Sequence, residues 1–417
     1  MSSILSRRSG AAFFWDESFL WGIMARRALQ KAGLPFDLIR AEDIRKGRLD
    51  PYTLLFVPGG WSSNKRKTLG EKGAEAVRNF VASGGSYLGF CGGAGLATLD
   101  GIGLLNIRRK PTSERVPSFS GRIRLKTSKH AMWKGMRQPV FHAWWPPQFT
   151  LMDDSAKVLA TYQDALPDSF SSDLNTGDIE AAGNWQELEA LYRINLDPKR
   201  LLNDPAVVTG SHGKGKVVLS LLHFDTPDDA GGRRVLKNLW SMLSRDATPS
   251  AMLRTQGKTA SLKRTSPHDE LLHACCSTVN GLIEHGIRNF LWYWRTPFLL
   301  QWRRGVRGIE YCTLSVMIDE ISKALAQDRI IEEGLIRAKL EAILPRLEYF
   351  TENAKNLLTR ERFAMQNGHI TYERCDDPEI RRLREELFSS SKSYGGLFKD
   401  LIDSIDDLLY LLFVSRA

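Results

Sequence analysis

Long apolar runs are missing from this chain. Its greasiest stretch, Phe290 to Trp302, is broken by Arg295 and Pro297. It is far short of the ~20 apolar residues that a spanning helix needs. The opening residues Met1–Trp15 carry two arginines but no apolar core followed by a cleavage site, so no secretory signal is expected. Cysteine is scarce: five in 417 residues, adjacent only at Cys275-Cys276. That excludes a disulfide framework and a CxxC zinc pattern and fits a reducing, cytoplasmic setting. His268, His273 and His285 do not share one i, i+4 face with a carboxylate, so no metal site is expected, and no cofactor. There is no acidic excess either. The net charge is +10, and the first 250 residues hold 34 Lys+Arg against 25 Asp+Glu, while the rest hold 24 against 23. The basic runs Lys65-Arg66-Lys67 and Arg108-Arg109-Lys110 are short and read as solvated faces, so neither nucleic acid nor a membrane is an expected partner.

What is present is core material: 42% hydrophobic and 25% charged residues, as in a globular protein of two or three domains. Strand and helix patterns alternate over residues 11–100. Ala11 to Trp15, Phe36 to Ile39, Leu54 to Val57 and Ser86 to Phe90 read as strands. Ser18 to Ala32 and Leu69 to Ser83 read as helices, and Asp43 to Leu49 as a short connection. This predicts an α/β fold, a flavodoxin-like, largely parallel sheet with helices on both faces. Residues 102–167 predict a small mixed β region laid against that sheet, and 168–186 a polar loop. Residues 206–210 and 213–222 read as a hairpin, and Gly231 to Ser244 as a helix. A linker is expected at 246–268, followed by a C-terminal all-α helical bundle over 269–417. Its helices are expected at 271–294, 309–326, 329–350, 352–365, 378–390 and 396–414, and Trp292 to Arg295 as an aromatic stripe for the bundle core or a partner. The first domain is then 1–245.

The chemistry gathers at Gly89-Phe90-Cys91-Gly92-Gly93-Ala94-Gly95. A short buried strand running into a glycine-crowded helix start lifts the residue at the junction above the sheet, on a strained backbone. Cys91 stands there. Gly59-Gly60 ends the preceding strand, and His223-Phe224-Asp225 ends a later one. Ligands in such sheets bind beyond the carboxyl ends of the strands, so the three pieces should be neighbours. Acyl chemistry on a thiol asks for this set. Cys91 is the expected nucleophile, His223 the base and Asp225 the group that orients the imidazole. The N–H groups of Gly60 and Gly92 are the expected oxyanion hole. Gly59, Trp61, Trp144, Trp145 and Gln148 are the expected pocket, because the stretch from His142 to Phe149 is stiffened by two prolines and carries large apolar faces.

Cys followed later by His-x-Asp resembles the class I glutamine amidotransferase-like superfamily, whose Gly-x-Cys-x-Gly and His-Pro-Glu are met by Gly89 to Gly93 and by His223-Phe224-Asp225. Val57-Pro58-Gly59-Gly60, the Gly85 to Ala94 elbow and Gly213 to Ser220 resemble, within it, the biotin-protein ligase N-terminal-like domain, over roughly residues 10–245. The resemblance implies a cysteine-dependent amidase or hydrolase acting on a small-molecule or peptide amide. It departs in two places: Gly95 stands where the glutaminases carry Gln, and Asp225 where they carry Glu. Residues 250–417 offer no Gly-Arg-Gly-Arg loop, so a biotin ligase is not implied. Two other readings use the same scaffold. One is a non-catalytic ligand-binding or regulatory module, with the helical domain as the surface for a protein partner. The other is a sugar-binding relative of the trehalose-utilisation type, which needs no thiolate.

Overall fold

The computed structural model describes residues 10–244, 268–326, 332–368, 370–371, 375–390 and 393–414. The expected linker, apart from His268, lies outside the described residues. The chain divides into two compact units, Met1–Arg254 and Thr255–Ala417.

The first unit is built on one 11-stranded sheet. Strands β1 (Ala11–Phe14), β2 (Asp37–Ile39), β3 (Leu54–Val57) and β4 (Ser86–Phe90) run parallel in the order β2-β1-β3-β4, and Gly215–Ser220 adds a parallel strand beside β4. This is the flavodoxin-like order. Strands β1, β3 and β4 are buried throughout, as parallel strands covered on both faces must be. The Phe19–Ala32 helix packs with Ala230–Leu243, and the Ala41–Arg45 helix packs with Ser62–Ala82.

Four expectations change in this unit. The 102–167 region is not a separate layer: Phe119–Thr127 and Lys157–Ala165 continue the same sheet, antiparallel, through Pro205–His212. The second helix begins at Ser62, not Leu69, and Gly70 interrupts it at φ 63°, ψ −176°. The connection before β3 holds a short helix, Ala41–Arg45. The polar segment 168–186 is ordered rather than a loop. Asn175 caps the Thr176–Ala182 helix, left-handed Gly183 ends it, and the Trp185–Tyr192 helix follows. Trp185, Tyr192 and Leu196 form a small core of their own there, which polarity alone conceals.

Among the described residues the second unit is a helical bundle with one hairpin. The Asp269–Arg288 helix stops short of the aromatic stripe. Trp292–Thr296 and Leu299–Trp302 pair instead as antiparallel strands, turned at Thr296, whose hydroxyl accepts from the Phe298 and Leu299 N–H groups. Trp292 packs against Gly286, where a Cβ would lie 2.0 Å from its ring. The two helices expected over 329–365 are one, Glu333–Asn367. Thr351 lies inside it, with its hydroxyl bonded back to the Glu348 carbonyl at 3.0 Å. Among the described residues no helix is long and apolar enough to cross a membrane.

Candidate active site

β4 ends at Phe90, and Cys91 turns out of the sheet at φ 47°, ψ −105°. A non-glycine residue there costs about 1–3 kcal/mol and persists only where its surroundings hold it. Here the Cys91 N–H donates to the Ser220 carbonyl at 2.8 Å, and the Cys91 carbonyl accepts the Gly95 N–H at 2.9 Å. The turn needs glycine next: a Cβ on Gly92 would lie 1.7 Å from the Gly60 carbonyl oxygen. The Gly60 and Gly92 backbones therefore touch. Among the described residues, neither N–H has a hydrogen-bond acceptor.

The strand beside β4 brings in the imidazole. Ser220 is in register with Phe90, so His223, three residues on, emerges at the same sheet end as Cys91. The His223 N–H donates to the His142 carbonyl at 2.8 Å, and Nδ1 meets Asp225 Oδ1 at 2.9 Å, with both side chains fully buried. Burial pulls the imidazole down. The Asp225 carboxylate, and then the Cys91 sulfur, outweigh it through charge and hydrogen bonding and raise His223 to about 10. The sulfur contact is loose, since Nε2 has no partner at full hydrogen-bond distance and angle. The Cys91 thiol donates to the Trp144 carbonyl at 3.7 Å.

Two aromatic rings wall this group. Trp21 lies over His223, with centroids 4.8 Å apart and planes tilted by 32°, and Trp145 meets Trp21 edge-on at 6.2 Å. Gly59 is glycine because a Cβ there would sit 2.8 Å from His223 Cε1 and 3.1 Å from Trp21. Trp21 was not among the expected residues. It sits on the buried face of a regular helix and reads as core. Trp144 is buried, its indole N–H donates to Thr226, and its backbone carbonyl meets the Cys91 thiol. Trp61 is exposed at the start of the Ser62–Ala82 helix. Gln148 does not serve as the pocket amide. Its oxygen accepts the Val116 N–H and its nitrogen donates to Asp204, each at 2.7 Å, which braces the loop. Lys65, read as part of a solvated run, is fully buried, with Nζ on the Asp16 carbonyl at 3.0 Å and on Ser18 Oγ at 2.5 Å.

Fold and site thus define a flavodoxin-like α/β unit with a strained cysteine at a strand-to-helix elbow beside a buried His–Asp pair. Residues 48–100, from β3 through the elbow, match the family described as biotin-protein ligase, N terminal. No curated protein matches the chain. Among solved structures it is similar to a protein of Thermoplasma acidophilum described as part of a GMP synthase, at 13% identity over 57% of this chain and 95% of that one, TM-score 0.37. A cytoplasmic protein of Salmonella typhimurium LT2 is similar at 12% identity over 56% of this chain and 99% of that one, TM-score 0.37. A β-galactosidase of Rahnella sp. R3 is similar at 16% identity over 57% of this chain but 32% of its own length, TM-score 0.36.

Proposed function

We propose that this protein is a cysteine-dependent hydrolase or amidase that passes an acyl group through Cys91. The observation that carries the reading is the strained Cys91 elbow beside the buried His223–Asp225 pair. The thiol proton passes to His223 Nε2, which holds it through neutral pH because Asp225 and the sulfur raise that nitrogen. Sulfur attacks the substrate carbonyl carbon, forming the C–S bond. The Gly60 and Gly92 N–H groups take up the oxyanion. The imidazolium returns its proton to the leaving nitrogen or oxygen as the C–N or C–O bond breaks. Water, deprotonated by His223, then cleaves the thioester and restores the thiol. Gly95 offers the substrate no side chain, so the reading does not extend to free glutamine.

p-Nitrophenyl acetate tests this. The expected result is a burst of p-nitrophenolate equal to the protein, an acetyl group found on Cys91 by mass spectrometry, and no burst from Cys91→Ser. No acetyl group on Cys91 in the wild-type protein would sink the reading. One observation favours a second reading, a binding module without turnover: the resting thiol is turned onto the Trp144 carbonyl. Iodoacetamide labelling of Cys91 no faster than that of Cys276, whose thiol burial pushes up, would select it.

A further inference from the structure

The acyl chemistry leaves a buried ammonium unused. Lys65 lies in the first turn of the Ser62–Ala82 helix, just past Gly60-Trp61, and its N–H donates to the Trp61 carbonyl at 3.0 Å. Lysine is almost never withdrawn fully from water unless its ammonium is engaged, and Lys65 is 0% exposed. Its side chain runs back to Gly60, where a Cβ would lie 3.3 Å from Lys65 Cε. Nζ then reaches the turn that leaves β1. It donates to the Asp16 carbonyl at 3.0 Å and to Ser18 Oγ at 2.5 Å, and lies 5.4 Å from the centre of the Phe14 ring. Lys65 thus holds the backbone of the turn, while the Asp16 carboxylate accepts the Ala41 N–H at 2.7 Å and faces Arg40 at 3.6 Å. β1 and β3 are parallel neighbours, with Phe13 beside Phe56, so this turn and Gly59-Gly60 leave the sheet side by side. They touch: a Cβ on Gly60 would lie 2.4 Å from the Glu17 carbonyl oxygen. The turn is strained, with Glu17 at φ 55° and Phe19 at φ 43°, and such angles persist only where the surroundings hold them. The Ser18 carbonyl accepts the Trp21 and Gly22 N–H groups at 2.9 and 3.1 Å, so the residue that Lys65 holds also starts the helix that lays Trp21 over His223.

We propose that Lys65 is a positioning residue of the Cys91 site: it fastens the Asp16–Phe19 turn against Gly60 and so fixes the Gly60 N–H where the substrate oxyanion forms. This role rests on the acyl-transfer reading above. Lys65 touches no substrate, keeps its proton, and makes and breaks no covalent bond. Its effect is confined to steps in which a carbonyl oxygen gains charge, because a donor displaced by ~1 Å loses much of its advantage there.

Lys65→Met removes the ammonium at similar length. Two reagents read the consequence: p-nitrophenyl acetate, whose carbonyl oxygen becomes an oxyanion when sulfur attacks, and iodoacetamide, whose methylene carbon is alkylated with loss of iodide and without an oxyanion. The expected result is acetylation of Cys91 slowed about tenfold to a hundredfold, with alkylation of Cys91 and its pH midpoint unchanged. A lysine that only props the fold would leave the ratio of the two rates where it is, whatever happened to the melting temperature. An unchanged ratio in the folded variant would therefore overturn the Lys65 assignment while leaving Cys91 as the nucleophile. Equal slowing with both reagents, or a shifted alkylation midpoint, would overturn it by placing the effect on the thiol. If Lys65→Met does not fold, Ser18→Ala decides, since it removes one acceptor of the ammonium: a lowered ratio of acetylation to alkylation supports the assignment and an unchanged one overturns it. Failure of the wild-type protein to take up acetyl at Cys91 would bring down the acyl-transfer reading and this role with it.

Discussion

His223 ties the candidate site to pH. Its buried imidazole is raised to about 10 by Asp225 and Cys91 against the pull of burial. An unfolded histidine titrates near ~6.5. Between those values the folded protein binds more protons than the unfolded one, so this group's share of stability is full below the unfolded value and is lost as pH rises through about 10. The melting temperature of the wild type relative to His223→Gln is therefore expected to be highest near pH 6 and to shrink toward pH 10. A gap that grows with pH would contradict the ion-pair account. Residue identity carried much of this site in advance. Cys91, Gly60, Gly92, His223 and Asp225 each stand where a strand ends, and strand ends are legible from apolar runs and glycines. Trp21 was not legible: it follows the spacing of an ordinary amphipathic helix, and only the fold lays its ring over His223.

At the scale of elements, strain collects where loops leave the carboxyl ends of strands. Glu17 and Phe19 after β1, Cys91 after β4, and Trp145 after Val140–Trp144 all have positive φ. Such angles persist where packing over-determines them, and Trp144 is part of that packing. It is stacked on His142 at 5.0 Å, bonded to Thr226, and nearly all of it is removed from solvent. Trp144→Ala is accordingly expected to lower stability by about 3–5 kcal/mol, as read from urea unfolding. A near-wild-type midpoint with lost Cys91 acetylation would instead make the ring a pocket wall. The sequence suggested the stiff aromatic segment but not its division of labour. Two tryptophans and a glutamine on one short segment do not announce their separate parts, while the backbone turns one ring into core, sets the next against Trp21, and commits the amide to Val116 and Asp204.

At the scale of the whole molecule, the alternation of strands and helices announced the parallel sheet, and the helical spacing announced the bundle. The hairpin at Trp292–Trp302 was hidden because aromatic residues serve helix and strand cores equally well, and only the turn at Thr296-Pro297 separates the two readings. Every residue named at the site, from Trp21 to Asp225, lies in the unit Met1–Arg254. That unit contains the complete 11-stranded sheet and the Ala230–Leu243 helix, with Val235, Leu236, Leu239, Trp240 and Leu243 buried. A unit of about this size with its own apolar core is of the kind that folds alone. A chain ending at Arg254 is therefore expected to melt in one cooperative step and to take an acetyl group on Cys91 from p-nitrophenyl acetate at the rate of the full-length protein. Unfolding of the truncated chain would show that the first unit depends on the second for stability. A folded truncated chain with slowed acetylation would give residues 255–417 a part in the chemistry, and a search for substrates would then have to use the whole chain.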